Sequence, residues 1–231
     1  LFNAVNWVQS AIWNGKYAVV ICSDTAVHPD PAHLSAIGAS SVAMLVGPRA
    51  PFVMGPERAS FVKHAYDFYR PIGWHNNDAL MDMDEATGQY EEALESCFEK
   101  LTEMIGSTDL LSVYDYVAFH CNAPYHSKRN LQTMCDWMYG AKLDKAEHQA
   151  LYEKHVEPGT AISAQNVSVR FVAVSSSPDV DAHKSDPPLQ ATTYTCPLYA
   201  CLLSLVVSVG ESLQDSRVLC FSYGSGCAAS M

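Results

Sequence analysis

Positive charge is scarce in this sequence. Its 231 residues include 14 lysines and arginines against 25 aspartates and glutamates, which gives a formal net charge of -11 at pH 7. Proteins that bind nucleic acid or anionic membranes through charge use clustered Lys and Arg. The composition therefore argues against both kinds of partner, although a few local cations still suffice to hold a small anionic ligand.

Long apolar runs are missing as well. The longest extends from Pro197 to Val209 and is interrupted by Ser204 and Ser208, whereas a membrane-spanning helix needs about 20 apolar residues. With 48% hydrophobic and 17% charged residues, the chain is nevertheless rich enough in apolar side chains to form a folded core. We therefore expect a folded protein without a membrane-spanning helix.

Paired cysteine motifs are the third absence. None of the eight cysteines forms a Cys-x-x-Cys pair, the spacing of many zinc and redox sites. Cys22, Cys97 and Cys220 lie in apolar runs, where a free thiol packs as a small hydrophobe. We therefore expect free thiols, a reducing cytoplasmic compartment and no metal site.

Apolar patterning predicts alternating helices and strands, which places the chain in the α/β class. Residues 1–14 are apolar on nearly every side and predict a buried helix, and Thr87 is a candidate N-cap for an amphipathic helix ending near Ile105. The runs 17–22 and 41–46 lack polar alternation and predict strands covered on both faces. Further strands are predicted at 113–119, 167–174 and 217–221, and further helices at 127–139, 141–155 and 198–209.

Four short segments carry a resemblance to a known family. They are residues 1–7, residues 65–71, Phe119-His120 with Pro124-Tyr125 after it, and residues 221–226. In this order and at these separations they resemble the hydroxymethylglutaryl-CoA synthase family. The resemblance implies a thiolase-like layered α/β/α/β/α fold, and it covers nearly all of the chain except residues 141–190.

The resemblance also implies a division of the chain. Residues 1–110 would be the remainder of the N-terminal thiolase-like half, and residues 111–231 would be the C-terminal half. Residues 166–190 are expected to be an insertion, because they are rich in Ser and Pro and because family motifs would join across them. The family's nucleophilic cysteine is expected a few residues before the position that matches Leu1, and its catalytic glutamate is expected earlier still.

His120 is the candidate catalytic residue. It follows a predicted buried strand, where α/β folds place their ligands, and an imidazole with an ordinary pKa near ~6.5 suits proton transfer. From the residues alone, a structural histidine at a strand end is the commoner explanation. The family's Phe-His-x-Pro-Tyr motif implies instead a histidine that assists attack by the second substrate, although residues 121–123 occupy the place of one family residue.

Lys128 is the candidate contact for the phosphates of CoA. The family has lysines at about this point, and Arg129 is a neighbouring cation that can share the role. The alternative is an exposed basic pair at the start of a helix, without a ligand.

Three hydroxyl side chains are further candidates for substrate binding. Ser225 matches the family serine in the turn 222–226, and Thr192 takes the place of a family asparagine whose amide geometry it cannot reproduce. Ser35 is one residue away from a family threonine. Asp67 is expected to be scaffold that accepts backbone hydrogen bonds, and Cys227 is expected to pack rather than react.

The resemblance implies an acyltransferase that needs no cofactor. It loads acetyl from acetyl-CoA onto cysteine, condenses it with acetoacetyl-CoA, and releases hydroxymethylglutaryl-CoA by hydrolysis, as a homodimer. One alternative is the family branch that adds a β-branch to polyketide intermediates on an acyl carrier protein. Another is a noncatalytic, degenerate module that serves binding or dimerisation. An Asn-Ala-Cys-x-Gly-Gly segment before Leu1 would favour an enzyme.

Overall fold

A mixed four-stranded sheet between helices forms the centre of the structure, a computed structural model that describes residues 1–25, 39–69, 80–120, 124–140, 142–164 and 194–231. The helices are α1 (Phe2–Val8), α2 (Met83–Ile105), α3 (Pro124–Tyr139), α4 (Lys145–His155), α5 (Glu157–Ala164) and α6 (Pro197–Val209). The strands are β1 (Ala18–Thr25), β2 (Ala39–Val46), β3 (Ser60–Val62), β4 (Phe68–Tyr69), β5 (Leu80–Met81), β6 (Tyr116–Phe119), β7 (Val218–Gly224) and β8 (Ala228–Ser230). Strands β4 and β5 form a separate two-stranded pair.

The central sheet has the order β3-β8-β7-β6. Strands β6 and β7 are parallel, with Phe119 opposite Phe221, whereas β7 and β8 form an antiparallel hairpin. Successive residues of a strand point to opposite faces of its sheet. Val117 and Phe119 accordingly join the main core with α2, and Ala118 joins a second cluster with Leu198 of α6. Helices thus cover both faces of the parallel pair.

Helix α2 confirms the clearest prediction from apolar periodicity, but it begins earlier than expected. Asp82 is the N-cap, since its carboxylate accepts hydrogen bonds from the N–H groups of Asp84 at 3.1 Å and Glu85 at 3.0 Å. Thr87 lies inside the helix. Gly106 ends the helix with a φ of 74°, a conformation that glycine adopts without strain.

The apolar helix α6 also confirms its prediction. Its buried side chains include Leu198, Cys201 and Leu205. The buried Ser204 hydroxyl donates a hydrogen bond to the carbonyl of Pro158 at 3.1 Å, so a polar residue is satisfied inside this apolar contact. No helix in the described ranges is long and apolar enough to cross a membrane.

The N-terminal elements differ from their predictions. Helix α1 ends at Val8 and contains no buried residue, and β1 and β2 form an antiparallel pair in which exposed and half-buried residues alternate. Val19, Ile21 and Leu45 are 61%, 67% and 66% exposed. The expectation of burial on both faces was wrong because, among the described residues, the hairpin has α1 as its main neighbour.

Several sequence predictions fall on residues outside the described ranges. These are the strand at 167–174 and the insertion at 166–190. The strand expected at 113–119 is shorter, because a 3-10 helix at Leu110–Ser112 precedes it and β6 begins at Tyr116. The seven cysteines in the described ranges are free thiols.

A pair of substitutions on α2 tests which face of that helix supports the core. Leu101 is fully buried and Met104 is 50% exposed. We expect Leu101→Ala to lower the free energy of unfolding by about 2–5 kcal/mol, because a buried side chain leaves a cavity. Met104→Ala is the control and should cost less than about 1 kcal/mol. Urea denaturation measures both, and equal losses would contradict the assignment of faces.

Candidate functional site

The main chain of His120 is fixed at the carboxyl end of β6. Its N–H donates a hydrogen bond to the carbonyl of Phe221 on β7 at 2.7 Å, which extends the parallel pairing by one residue. Its own carbonyl accepts a hydrogen bond from the hydroxyl of Tyr90 at 3.1 Å. The position of the imidazole is therefore set by two elements besides its own strand.

The His120 side chain is half-buried, and burial lowers the pKa of the imidazole from 6.5 to about 4. The ring is therefore neutral at pH 7 and carries one N–H donor and one acceptor nitrogen. Within the described ranges no hydrogen bond engages the ring nitrogens. A neutral, desolvated imidazole of this kind is available to a ligand.

Tyr90 of α2 contacts both helix α3 and strand β7 of the sheet. Its hydroxyl accepts a hydrogen bond from the side-chain amide of Asn130 on α3 at 2.8 Å. Its ring meets the ring of Phe221 edge-on at 5.3 Å and the ring of Tyr223 at 5.0 Å, measured between centroids. Tyr90 was not among the candidates from the sequence; a tyrosine on the apolar face of an amphipathic helix is the signal that was available.

The turn between β7 and β8 is held by the carboxylate of Asp67. One oxygen accepts from the N–H of Gly226 and the other from the hydroxyl of Tyr223, each at 2.8 Å. The hydroxyl of Ser225 also hydrogen-bonds to this carboxylate. Asp67 is fully buried, and the predicted role as an acceptor of backbone hydrogen bonds is confirmed.

Asp67 stays ionised in spite of its burial. Desolvation is the largest influence and acts to raise the pKa of the carboxyl, but the hydrogen bonds from Tyr223, Gly226 and Ser225, together with the backbone of Phe68, lower it further than burial raises it. The net effect is a pKa below the usual value. The turn is therefore built around a buried negative charge.

His120 and the turn lie at the same edge of the sheet. Because β6 and β7 run parallel, the chain leaves β6 after Phe119 and leaves β7 after Gly224 at the same end of the sheet. Ser225 is exposed, four residues beyond Phe221. The structure thus places two of the predicted site residues at the same end of the parallel strands, and their contact with a substrate stays a prediction.

Lys128 and Arg129 both have partners within the chain. The ammonium of Lys128 donates to the side-chain oxygen of Gln149 on α4 and lies 5.9 Å from the centroid of the Tyr152 ring. Arg129 forms an ion pair with Glu91 on α2. These contacts agree with the structural alternative for the basic pair, in which exposed cations join neighbouring helices. A phosphate contact through Lys128 stays a prediction.

The remaining candidates divide into two groups. Thr192 and Ser35 lie outside the described ranges. Cys227 is 2% exposed, its thiol donates to the carbonyl of Gln89 at 4.0 Å, and burial raises its pKa. A buried, protonated thiol packs rather than attacks, as expected for this residue.

Two parts of the chain match models of one protein family. Residues 54–231 match the family model "Hydroxymethylglutaryl-coenzyme A synthase C terminal", and residues 1–51 match the corresponding N-terminal model. The chain belongs to the hydroxymethylglutaryl-CoA synthase family. The expected division at 110/111 is a different boundary from the one between these models, and it stays a prediction.

Relatives and solved structures agree with this membership. Hydroxymethylglutaryl-CoA synthase erg13A of Aspergillus fumigatus is 32% identical over all of this chain and 54% of its own length, and the mitochondrial enzyme of Mus musculus is 33% identical over 49% of its length. The chain thus spans about half the length of these relatives. Because one of them is mitochondrial, the cytoplasmic location stays a prediction.

The fold is shared with solved structures of the family. PksG, a synthase from Bacillus subtilis, has a TM-score of 0.76 at 22% identity over 99% of this chain and 50% of its own. The curacin pathway HMG synthase in complex with holo donor-ACP has a TM-score of 0.77 at 20% identity over 100% of this chain and 50% of its own. The thiolase-like α/β fold expected from the sequence is confirmed.

Asp67→Asn tests the buried charge. A carboxylate with a lowered pKa stabilises the folded state above the unfolded pKa of about 3.9, and this stabilisation is lost as the pH falls through the folded pKa. We expect the variant to be less stable by about 1.5–3 kcal/mol at pH 7, with a difference that shrinks below about pH 4. Urea denaturation from pH 7 to pH 3 measures it.

The control for this experiment is Glu103→Gln, an exposed change on α2, which should leave the pH profile of stability as it is. A stability difference between wild type and Asp67→Asn that stays constant from pH 7 to pH 3 would contradict an ionised Asp67.

A second prediction concerns the protonation of His120. Its ring resonances should titrate with a midpoint near pH 4 in heteronuclear NMR, with His120→Gln used to assign them, because desolvation lowers the pKa to about 4. The unfolded chain binds this proton with a pKa near 6.5, so His120 makes stability rise with pH between about 4 and 6.5. A titration midpoint above pH 6 would contradict a desolvated ring.

Proposed function

We propose that this chain supplies the condensing side of a hydroxymethylglutaryl-CoA synthase reaction. In this reaction an acetyl group carried as a thioester on cysteine condenses, as its enolate, with acetoacetyl-CoA. The observation that carries the proposal is the neutral, half-buried His120 at the edge of the sheet where the turn of Ser225 also lies. Family membership over the whole chain supports it, as does the relation to a family structure, MvaS in complex with 3-hydroxy-3-methylglutaryl coenzyme A.

His120 is suited to the carbonyl that is attacked. As the enolate carbon bonds to the ketone carbon of acetoacetyl-CoA, negative charge develops on the ketone oxygen. A neutral imidazole donates its N–H to that oxygen, and a donor in a desolvated site stabilises such charge more than water does. The proton of this N–H can then pass to the alkoxide, which leaves the tertiary alcohol and requires the ring to be reprotonated before the next turnover.

The Ser225 turn has a different role in this proposal. An ionised carboxylate only accepts hydrogen bonds, so Ser225 donates its one hydroxyl proton to Asp67. The lone pairs of its oxygen remain and accept from an N–H of the substrate, such as an amide of the pantetheine arm. The turn would thus position the thioester rather than stabilise the alkoxide.

The other binding residues are proposed on weaker grounds. Lys128 is exposed and would exchange the uncharged amide of Gln149 for a CoA phosphate, a stronger acceptor because it is charged. Thr192 and Ser35 are proposed to line the substrate site from segments outside the described ranges. We propose CoA thioesters as the only organic reactants, no further cofactor, and a homodimeric assembly.

A second candidate is condensation on an acyl carrier protein in polyketide β-branching. It is favoured by the similarity of the chain to the curacin pathway HMG synthase, whose structure was solved in complex with holo donor-ACP. The two candidates share the chemistry of His120 and differ in what carries the acyl group. Supplying acetoacetyl groups on CoA and on an acyl carrier protein in parallel assays distinguishes them.

The test separates the two half-reactions in the complete gene product that contains this chain. We expect His120→Ala and His120→Asn to leave acetylation of the enzyme by radiolabelled acetyl-CoA largely intact. Condensation should fall by ~10² or more, the usual scale for general acid-base catalysis. Asn keeps a hydrogen-bond donor but carries no transferable proton, so its failure would identify proton transfer.

A structural histidine would impair both half-reactions together through misfolding. Equal losses of acetylation and condensation, with an unchanged unfolding midpoint, would therefore contradict the role of His120. A wild-type protein that binds CoA thioesters or dimerises without acetylation or condensation would support the noncatalytic alternative instead.

A further inference from the structure

Two cysteines that are far apart in the sequence meet between β1 and α6. Cys22 lies in the middle of β1, and Cys196 is the N-cap residue of α6. The thiol of Cys196 donates a hydrogen bond to the main-chain carbonyl of Cys22, with 3.2 Å between Sγ and oxygen. Both cysteines are free thiols.

The side chain of Cys22 faces the same helix. Its thiol lies near the hydroxyl of Tyr199 and helps to raise the pKa of that hydroxyl, and Tyr199 lies three residues after Cys196, on the same face of α6. The backbone of Cys22 therefore contacts one residue of this face and its side chain contacts the other. This arrangement brings the two thiols into one small neighbourhood.

This contact joins two parts of the fold that share few others. The hairpin β1–β2 and helix α1 pack mainly against each other. Another described link runs from Arg58, which donates to the side chain of Asn6 at 3.3 Å and lies 5.2 Å from the centroid of the Phe2 ring. A covalent bond at Cys22 would therefore attach the hairpin firmly to α6.

We propose that Cys22 and Cys196 form a reversible disulfide when the protein meets a peroxide. Such a bond requires the sulfur atoms to approach to about 2.05 Å. Sγ of Cys196 already lies 3.2 Å from the main-chain oxygen of Cys22, and the proposal requires the side chains to rotate so that the two sulfur atoms meet. The site is a redox-sensitive link between the N-terminal hairpin and the helix that follows the Tyr194-Thr195 segment.

The chemistry balances with hydrogen peroxide as the oxidant. Cys22 is half-buried and Cys196 is 1% exposed, so Cys22 is the thiol that peroxide reaches first. Its sulfur attacks one peroxide oxygen, the O–O bond breaks, and the thiol proton joins the departing hydroxide, so that sulfenic acid and water form. The sulfur of Cys196 then attacks the sulfenic sulfur, the S–O bond breaks, and the second water leaves. Two thiols and one peroxide thus give one disulfide and two waters.

A third thiol is the natural competitor. Cys220 on β7 also lies near Tyr199, as its electrostatic influence on that hydroxyl indicates. Desolvation raises the pKa of Cys220 to about 12, so this thiol stays protonated at neutral pH and attacks poorly. Cys196 is the better partner for the oxidised Cys22 because its Sγ already lies 3.2 Å from the main-chain oxygen of Cys22.

The test uses the full chain treated with hydrogen peroxide at neutral pH and digested without reduction. Mass spectrometry should find a peptide pair joined through Cys22 and Cys196 that disappears after dithiothreitol. The pair should be absent in Cys22→Ser and Cys196→Ser, and it should persist in the matched controls Cys220→Ser and Cys97→Ser. Oxidation should raise the midpoint of thermal unfolding in wild type and in both controls, because the cross-link restricts the unfolded chain.

Two results would overturn the proposal. One is a cross-link from Cys22 to Cys220, or to any cysteine other than Cys196, as the main product. The other is oxidation of Cys22 to sulfinic acid with Cys196 still reactive toward iodoacetamide. If either serine variant fails to fold, the wild-type peptide map and the Cys220→Ser control decide the question by themselves.

Discussion

The buried carboxylate of Asp67 is the constraint on which the candidate site depends. A charge removed from water is costly unless hydrogen bonds replace its hydration. Asp67 gains these from Tyr223, Gly226 and Ser225, which lie more than 150 residues later in the sequence. Its main-chain carbonyl also accepts from the N–H of Asp82, the N-cap of α2, at 3.1 Å. One residue therefore fixes the turn after β7 relative to the start of the longest helix. Loss of this charge would weaken the hydrogen bonds that hold the turn, because a neutral oxygen is a poorer acceptor than a carboxylate.

The same edge of the sheet holds two ionisable groups with opposite responses to burial. Asp67 keeps its charge because donors surround it, whereas His120 loses its charge because no described group compensates for desolvation. At neutral pH the site therefore contains a fixed anion and a neutral imidazole. Tyr90 is linked to both, because its hydroxyl donates to the carbonyl of His120 and its ring packs against Tyr223, the hydroxyl of which donates to Asp67. This division of roles suits a reaction in which one group holds the backbone in place and the other gives and takes a proton.

The apolar periodicity of the sequence was sufficient to predict some of the helices and strands. It was insufficient to predict the long-range contacts. Helices α2 and α6 and the position of His120 after β6 followed from periodicity, because burial on one face or on all sides leaves a mark within a few residues. The hydrogen-bond partners of Asp67 could not be predicted from periodicity. They lie 156 and 159 residues away in the sequence, and their contacts depend on how the strands pair. Burial of α1 and β1–β2 was predicted wrongly, because an apolar run shows what a strand can tolerate but not which element covers it. The pairing of Lys128 with Gln149 is likewise a product of helix packing.

The ionised Asp67 also decides which side of the site can stabilise a developing anion. The N–H of Gly226 and the hydroxyl proton of Ser225 are both directed at the carboxylate, so among the described residues these two groups have no proton to offer a substrate oxygen. The N–H of His120 has no described partner, and the low polarity around the ring makes a hydrogen bond to an oxyanion strong. A negative oxygen placed against the turn would meet lone pairs and the nearby charge of Asp67, and it would be repelled. In the proposed condensation, the carbonyl that becomes an alkoxide would therefore face His120, with the amide-bearing arm of the thioester along the turn.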